Sequence, residues 1–387
     1  AEDGIRDTSV TEFRRVLFRS VHLTEDQAYL LDRLVELIPD AKPDVIVIAG
    51  DIYDRSVPPV EAVKLLDETL SRILLDCRIP VVLLAGNHDS PERLSFGNQL
   101  LKRQGLHIVS QVGCSLGPLV FEDRHGRVHF CAIPYAEPVL ARERLGRAEI
   151  SDHNEAMLAL VKHVVNQVPA NSRKVAVAHA FVTGGLTSES ERPLSVGGAD
   201  NIDSACFSEF SYVALGHLHQ PQAAGHDHIR YAGSLMKYSF SEATHRKSVN
   251  LVDLDRDGKV TVEQVELGPR RDFRSIEGYL TDILKGPQDG ENNQDYITVS
   301  LKDTGAVYDA IGQLRQVYPN ILHIERPCLM VDGQLSRPDG DYRRISDIDL
   351  FGSFYQQVTG EDFADELKTV LAEILQQVRA KDREVAV

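Results

Sequence analysis

Four short segments place acids, amides and imidazoles directly after apolar runs. They are Gly50-Asp51-Ile52-Tyr53-Asp54, Gly86-Asn87-His88-Asp89, Ala178-His179-Ala180 and Gly216-His217-Leu218-His219. Aspartate, asparagine and histidine suit Mn2+, Fe2+ or Zn2+, and the absence of cysteine among them argues against a structural zinc site. Asp51 is the natural carboxylate to bridge two ions. Asn87 offers a neutral oxygen, and the GHLH turn offers two imidazoles that can reach two neighbouring ions. A pair of ions about 3.5–4 Å apart can activate water and clamp an in-line displacement at phosphorus. Phosphate esters are among the slowest bonds to hydrolyse unaided, so metal assistance is well matched to them. His88 is then available as the acid that protonates a leaving oxygen. Asp54 is expected to hold its other ring nitrogen and favour the charged imidazole. A single segment of this kind reads equally well as an Asx-capped turn; the succession of them, each after a buried strand, does not.

The elements that must position these residues alternate. Thr24-Glu25-Asp26-Gln27 has the form of a capping box and opens a helix with Leu30, Leu31, Leu34, Val35 and Ile38 on one face. Pro43-Asp44 ends it, and Val45 to Ala49 is a β-branched apolar run suited to a strand covered on both faces. A second helix is predicted from about Val60 to Leu75 and a second strand from Val81 to Ala85. A hairpin follows around Gly126, then a helix from Glu155 to Val168 and strands ending at His179 and Gly216. Chemistry at the C-terminal ends of strands in an α/β layered sheet is where ligands bind in such folds. After Arg271 the pattern restarts, with a helix near 276–285, strands Tyr296–Leu301 and Ile321–Glu325, a helix over 305–317, a linker at 334–341 and two final helices.

The chain has 387 residues, 42% apolar and 26% charged, enough for a substantial core in two or three domains. No apolar stretch is long enough to span a membrane, and nothing at the N-terminus resembles an export signal. Five scattered cysteines without a C-x-x-C pair fit free thiols in a reducing cytoplasm. A net charge of −16 excludes a basic coat for bulk nucleic-acid binding; bound divalent ions can nevertheless invert the field of a carboxylate-lined cleft. Asp253, Asp255, Asp257 and Gly258 begin like a calcium loop, but its twelfth position is Gln264 and its flanks are strands, so calcium is not expected. His226-Asp227-His228 is expected in a polar, solvated loop.

GDIYD, GNHD, the strand-terminal histidine and GHLH together resemble the calcineurin-type metallophosphoesterase signature. GNHDSPERLSFG (86–97), LSVGGADNI (194–202), YVALGHLHQPQ (212–222) and YAGSLMKYSFSE (231–242) are similar, more narrowly, to the SbcD family of bacterial nuclease subunits. The KYSFSE segment has no obvious catalytic need and helps single out that family. The resemblance covers about residues 21–379. It implies a layered α/β metallophosphoesterase β-sandwich flanked by helices over 21–270, a small α/β domain that caps DNA over 271–340, and a helical tail over 341–387. It further implies two divalent ions, Mn2+ by family habit. Asp51 would be the bridge, Asn87, His179 and His217 would complete one site, His219 would belong to the other, and His88 would be the catalytic imidazole with Asp54 beside it. The implied activity is 3′→5′ exonuclease action on duplex DNA and endonuclease action on hairpins or single strands, in DNA repair and recombination. The implied partners are an SbcC-like ATPase, DNA and a second copy of the chain.

One departure stands out. The family opens with a strand ending in D-x-H, and no D-x-H precedes GDIYD here. Residues 1–20 show no strand or helix period and read as a non-native leader in place of the first strand. The expectation is a weakened sheet and a first metal left with only Asp51 and His219, hence impaired activity. Two other readings stay open: a phosphatase or phosphodiesterase for small substrates, and a non-catalytic scaffold for a partner.

Overall fold

Two six-stranded sheets face each other in the computed structural model of the chain. The structure describes residues 5–10, 17–18, 21–113, 115–191, 201–304, 307–327, 346–359 and 362–385. The first sheet runs, edge to edge, through Val260–Val265, Val249–Leu254, Ile5–Val10, Val45–Ala49, Val81–Leu84 and Leu106–Val109. The second runs through Gln222–Ala224, His226–Tyr231, Tyr212–Gly216, Arg173–His179, Gly126–Ile133 and Leu119–Asp123. Central pairs in both sheets are parallel: Val45–Ala49 with Val81–Leu84, and Arg173–His179 with Tyr212–Gly216.

Side chains alternate across a strand, which explains the unbroken apolar runs. Val45, Val47, Ala49, Val82 and Leu84 meet Val175, Val177, Tyr212 and Ala214 between the sheets. Ile46, Ile48, Val81 and Leu83 are buried as well, as the helices Thr24–Ala41 and Val60–Ser71 require of a sheet that needs cover on both faces. On the second sheet, Ala176, Ala178, Val213 and Leu215 pack with Met157, Leu160 and Val164 of the helix His153–Val165.

Several expectations are corrected. Ile5–Val10, assigned no strand period, is a strand inside the first sheet, antiparallel to Val249–Leu254 and parallel to Val45–Ala49. The sheet therefore does not lack a strand at that place: backbone pairing on both sides supplies what periodicity did not show. The capping box does not form. Leu23 is the N-cap of the first helix, and no side chain caps it. His226 and His228 lie in a strand, their rings stacked 5.6 Å apart, not in a loop.

The chain divides into two compact units, Ala1–Arg274 and Ser275–Val387. Toward the second, the helix predicted near 276–285 is shorter than expected: Leu280–Ile283 is helical, while Phe273–Gly278 before it joins a three-stranded sheet with Tyr296–Leu301 and Ile321–Glu325. Edge pairing there outweighs a weak helical pattern. The core of this unit is Ile297, Val299, Leu301, Leu314, Tyr318 and Ile321. Helices Asp347–Thr359 and Asp365–Val385 follow, with Phe363 packed on Phe351 and Tyr355. The linker expected at 334–341 lies outside the described residues. No helix among the described residues is long and apolar enough to cross a membrane.

Candidate metal centre

The four polar tips come from two sheets rather than one. Asp51 follows Val45–Ala49, and Asn87 and His88 follow Val81–Leu84, on the first sheet. His179 ends one strand of the second sheet, and His217 follows its neighbour. What lets the two sheets close on each other is glycine. Across the sheets, a Cβ on Gly216 would lie 1.7 Å from the Ala49 carbonyl oxygen; within the first sheet, one on Gly86 would lie 2.2 Å from the Asp51 amide nitrogen. Asp51 and His217 themselves adopt positive φ, 47° and 104°. Such conformations are costly for residues with a Cβ and collect at functional sites.

Asp51, His179 and His217, all buried, present ligand atoms within 4.8 Å of one another. His179 Nδ1 donates to the Ala49 carbonyl (2.9 Å), which commits its proton. Nε2 then turns its lone pair toward two other acceptors, Asn87 Oδ1 at 2.9 Å and Asp51 Oδ2 at 3.3 Å. Three electron-pair donors facing one point are an arrangement that a cation would satisfy. The donor set of one carboxylate, one amide oxygen and two imidazoles fits a borderline divalent ion. Asp51, Asn87, His179 and His217 are thus brought together.

His219 stands outside that group, and the reason is its partners. Its Nδ1 lies 3.0 Å from Glu242 Oε1 and 2.6 Å from Ser190 Oγ. Lys247 donates to the other Glu242 oxygen and to the His219 carbonyl (2.7 Å). Burial alone would raise the Glu242 carboxyl, but the His219 hydrogen bond and the Lys247 charge more than offset it and hold it far below the usual carboxylate range. Glu242 is the last residue of KYSFSE, so that segment reaches the His219 ring.

His88 sits beside the cluster. Its amide donates to Asp51 Oδ1 (3.0 Å), and its ring Nδ1 lies 2.9 Å from the Asp54 main-chain carbonyl. The contact that Asp54 makes there is through its main-chain carbonyl. A carbonyl only accepts, so Nδ1 carries a proton and Nε2 is the exchangeable position.

Asp89 had no assigned role. Its Oδ2 accepts from the amides of Gly86 (2.9 Å) and Ile52 (3.0 Å), and its Oδ1 from that of Tyr53 (3.0 Å). It ties the GNHD loop to the GDIYD loop. Burial pushes its carboxyl up, against the pull of those three amides. Asp89 was visible within the motif itself; Glu242, more than twenty residues beyond GHLH, carried no local signal.

Residues 21–221 match the calcineurin-like phosphoesterase family. Residues 269–359 match the SbcD C-terminal family, described as the type 5 capsule protein repressor C-terminal domain. The chain is 32% identical over 339 residues to the SbcD subunit of the nuclease SbcCD from Staphylococcus saprophyticus, covering 88% of this chain and 89% of that one. Among solved structures, a protein of Thermus thermophilus aligns at 14% identity and a TM-score of 0.38, covering 67% of this chain and 99% of its own. A dimetal phosphatase from Danio rerio aligns at 11% identity and a TM-score of 0.41, covering 69% and 97%.

Proposed function

Because the chain belongs to the SbcD family of calcineurin-like phosphoesterases, and so to the metal-dependent nucleases, we propose that it hydrolyses phosphodiester bonds of DNA. The proposed actions are 3′→5′ exonuclease cleavage of duplex ends and endonuclease cleavage of hairpins and single strands, in cytoplasmic DNA repair and recombination. The observation that carries this is the convergence of Asp51, Asn87, His179 and His217 from two sheets, with the His88 ring alongside.

Asp51, Asn87, His179 and His217 would hold one divalent ion, proposed as Mn2+, and Asp51 with His219 would serve a second. Bound there, the ions supply Lewis acidity to the phosphodiester and lower the pKa of water. The chain's own groups do the remaining work. The His88 amide fixes the Asp51 carboxylate in orientation. The Asp54 carbonyl fixes the His88 ring, so its Nε2 can carry the proton handed to the leaving oxygen. His179 is locked by Ala49 with Nε2 turned to the cluster.

The second position is proposed to be weak. The strand beside that of Asp51 ends at Val10, paired with Ile48, and no D-x-H occurs in the sequence before Asp51. Two ligands make a poor site, so cleavage by this chain should be slower than by a version with Asp and His set at that strand end.

An SbcC-like ATPase is the proposed partner. Support comes from the family and from Leu367, Val370 and Ile374, exposed at helical spacing on the last helix. A second copy is also proposed: Val57, Val60, Val63, Phe96 and Leu100 are exposed apolar residues in the first unit, more than scattered surface hydrophobics require.

The test is Mn2+-dependent cleavage of end-labelled duplex DNA by the chain, by its His88→Ala variant and by the version with D-x-H restored. Activity rising on restoration and lost on His88→Ala supports the reading. Inactivity of all three, with an SbcC-like partner and ATP present, would leave a non-catalytic scaffold. Preference for small phosphodiesters over DNA would favour a small-substrate phosphodiesterase.

A further inference from the structure

We infer that Glu242 and Lys247 are positioning residues that fix the His219 imidazole in one tautomer, with Nε2 as its metal-donating atom. The inference rests on His219 being a ligand in the proposed function, and it concerns how that ligand is set.

His219 is held at three of its atoms. Its amide donates to Glu191 Oε1 (2.6 Å), its carbonyl accepts from Lys247 Nζ (2.7 Å), and its Nδ1 faces Glu242 Oε1 (3.0 Å) and Ser190 Oγ (2.6 Å). Ser190 has one hydroxyl proton, and it goes to Glu242 Oε1. Toward the ring, then, both oxygens accept, and the proton must sit on Nδ1. That leaves Nε2 as the electron-pair donor.

Lys247 explains why the carboxylate tolerates complete burial. Its ammonium donates to Glu242 Oε2, the His219 carbonyl and Ser234 Oγ at 2.8 Å. One cation therefore braces the ring through Glu242 and the main chain through the carbonyl. Buried ion pairs contribute little net stability against apolar replacements, so a pair placed at a ligand points to geometry rather than to folding energy. A carboxylate on the far nitrogen of a metal-binding imidazole fixes both tautomer and ring orientation, and its loss costs about 10–100-fold in metal affinity.

The test uses the full chain with 15N-labelled histidine. Ring tautomers are read by NMR without metal, and Mn2+ is then titrated while broadening of each histidine is followed. Glu242→Gln keeps the shape. Its amide oxygen is drawn to the Lys247 ammonium, which turns the NH2 group onto His219 Nδ1 and forces the proton to Nε2. A second variant, Glu242→Leu with Lys247→Met, removes both charges together and spares the fold an unpaired ammonium. The expected result is an Nδ1–H tautomer in the parent, inversion in the first variant, a mixture in the second, and about 10–100-fold more Mn2+ needed to broaden His219 in both. Unchanged tautomer and unchanged Mn2+ response in both variants, whatever happens to melting temperature, would make the pair purely structural and overturn the inference. If Mn2+ broadens no histidine even in the parent, the metal reading fails, while the metal-free tautomers still decide the positioning role.

Discussion

At the scale of single residues, the proposed site separates a proton carrier from a set of ligands. The His88 amide donates to Asp51, and its ring meets a main-chain carbonyl. His88→Ala is therefore expected to lower the cleavage rate by about 10²–10⁴-fold, the usual worth of a general acid, with Mn2+ affinity nearly unchanged by calorimetry. Equal loss of both would assign the imidazole to metal binding instead. Asp51→Asn should do the opposite and abolish Mn2+ binding first, because it removes the one carboxylate of the cluster. Residue types at strand ends made this set legible in the sequence, down to His179 in a segment with no motif beyond one histidine. What was not legible is which atom each side chain answers to. The contact of the His88 ring with the Asp54 main-chain carbonyl depends on the path of the GDIYD backbone, and Glu242 reaches His219 because the chain returns after two intervening strands. Neither is encoded in spacing.

At the scale of elements, loops and strand ends are held by a few polar ties. Asp89 collects three amides from two loops. Asp89→Ala should cost about 1–3 kcal/mol for each buried amide left without an acceptor, read as a lower urea midpoint together with weaker Mn2+ binding. If only stability falls, the loops keep their register without it. Another tie is Arg173, which forks onto Asp123 Oδ1 and Oδ2 at 2.6 and 2.7 Å and pins a hairpin to its neighbouring strand. That hydrogen bond holds the Asp123 carboxyl below its ordinary value. A lowered carboxylate adds stability above its unfolded value, about 3.9, and loses it as pH falls through the folded one. Asp123→Asn should thus be less stable than the parent at neutral pH, and the gap should close below about pH 4. A gap that is the same at both pH values would exclude the ionic contribution. The strands themselves were legible wherever both faces are buried, as at Val45–Ala49 and Tyr212–Gly216. Phe273–Gly278 was not, because edge pairing decides it, and neither was Ile5–Val10, whose place is set by partners more than two hundred residues apart in sequence on its two sides.

At the scale of the whole molecule, a net charge of −16 sets the terms for meeting DNA. Without divalent ions the chain should repel a polyanion at low salt. Adding Mn2+ should bring DNA binding that EDTA reverses, measured by fluorescence anisotropy; tight binding in EDTA would require a basic surface that the composition does not suggest. The approach of the two sheets at Gly216 has a different consequence. Gly216→Ala would drive a methyl into the Ala49 carbonyl, so a fall in melting temperature, from about 1–3 kcal/mol or more of overpacking, is expected even in EDTA. The same closeness means that an ion seated on Asp51, Asn87, His179 and His217 rivets one layer of the sandwich to the other. Whatever binds only the folded form stabilises it, by about 2.7 kcal/mol at a hundred times its Kd. Thermal melting of the chain is then a gauge of metal occupancy that needs no DNA. Any change that lets the layers slide, however far from the histidines, should surface as a loss of affinity for the ion.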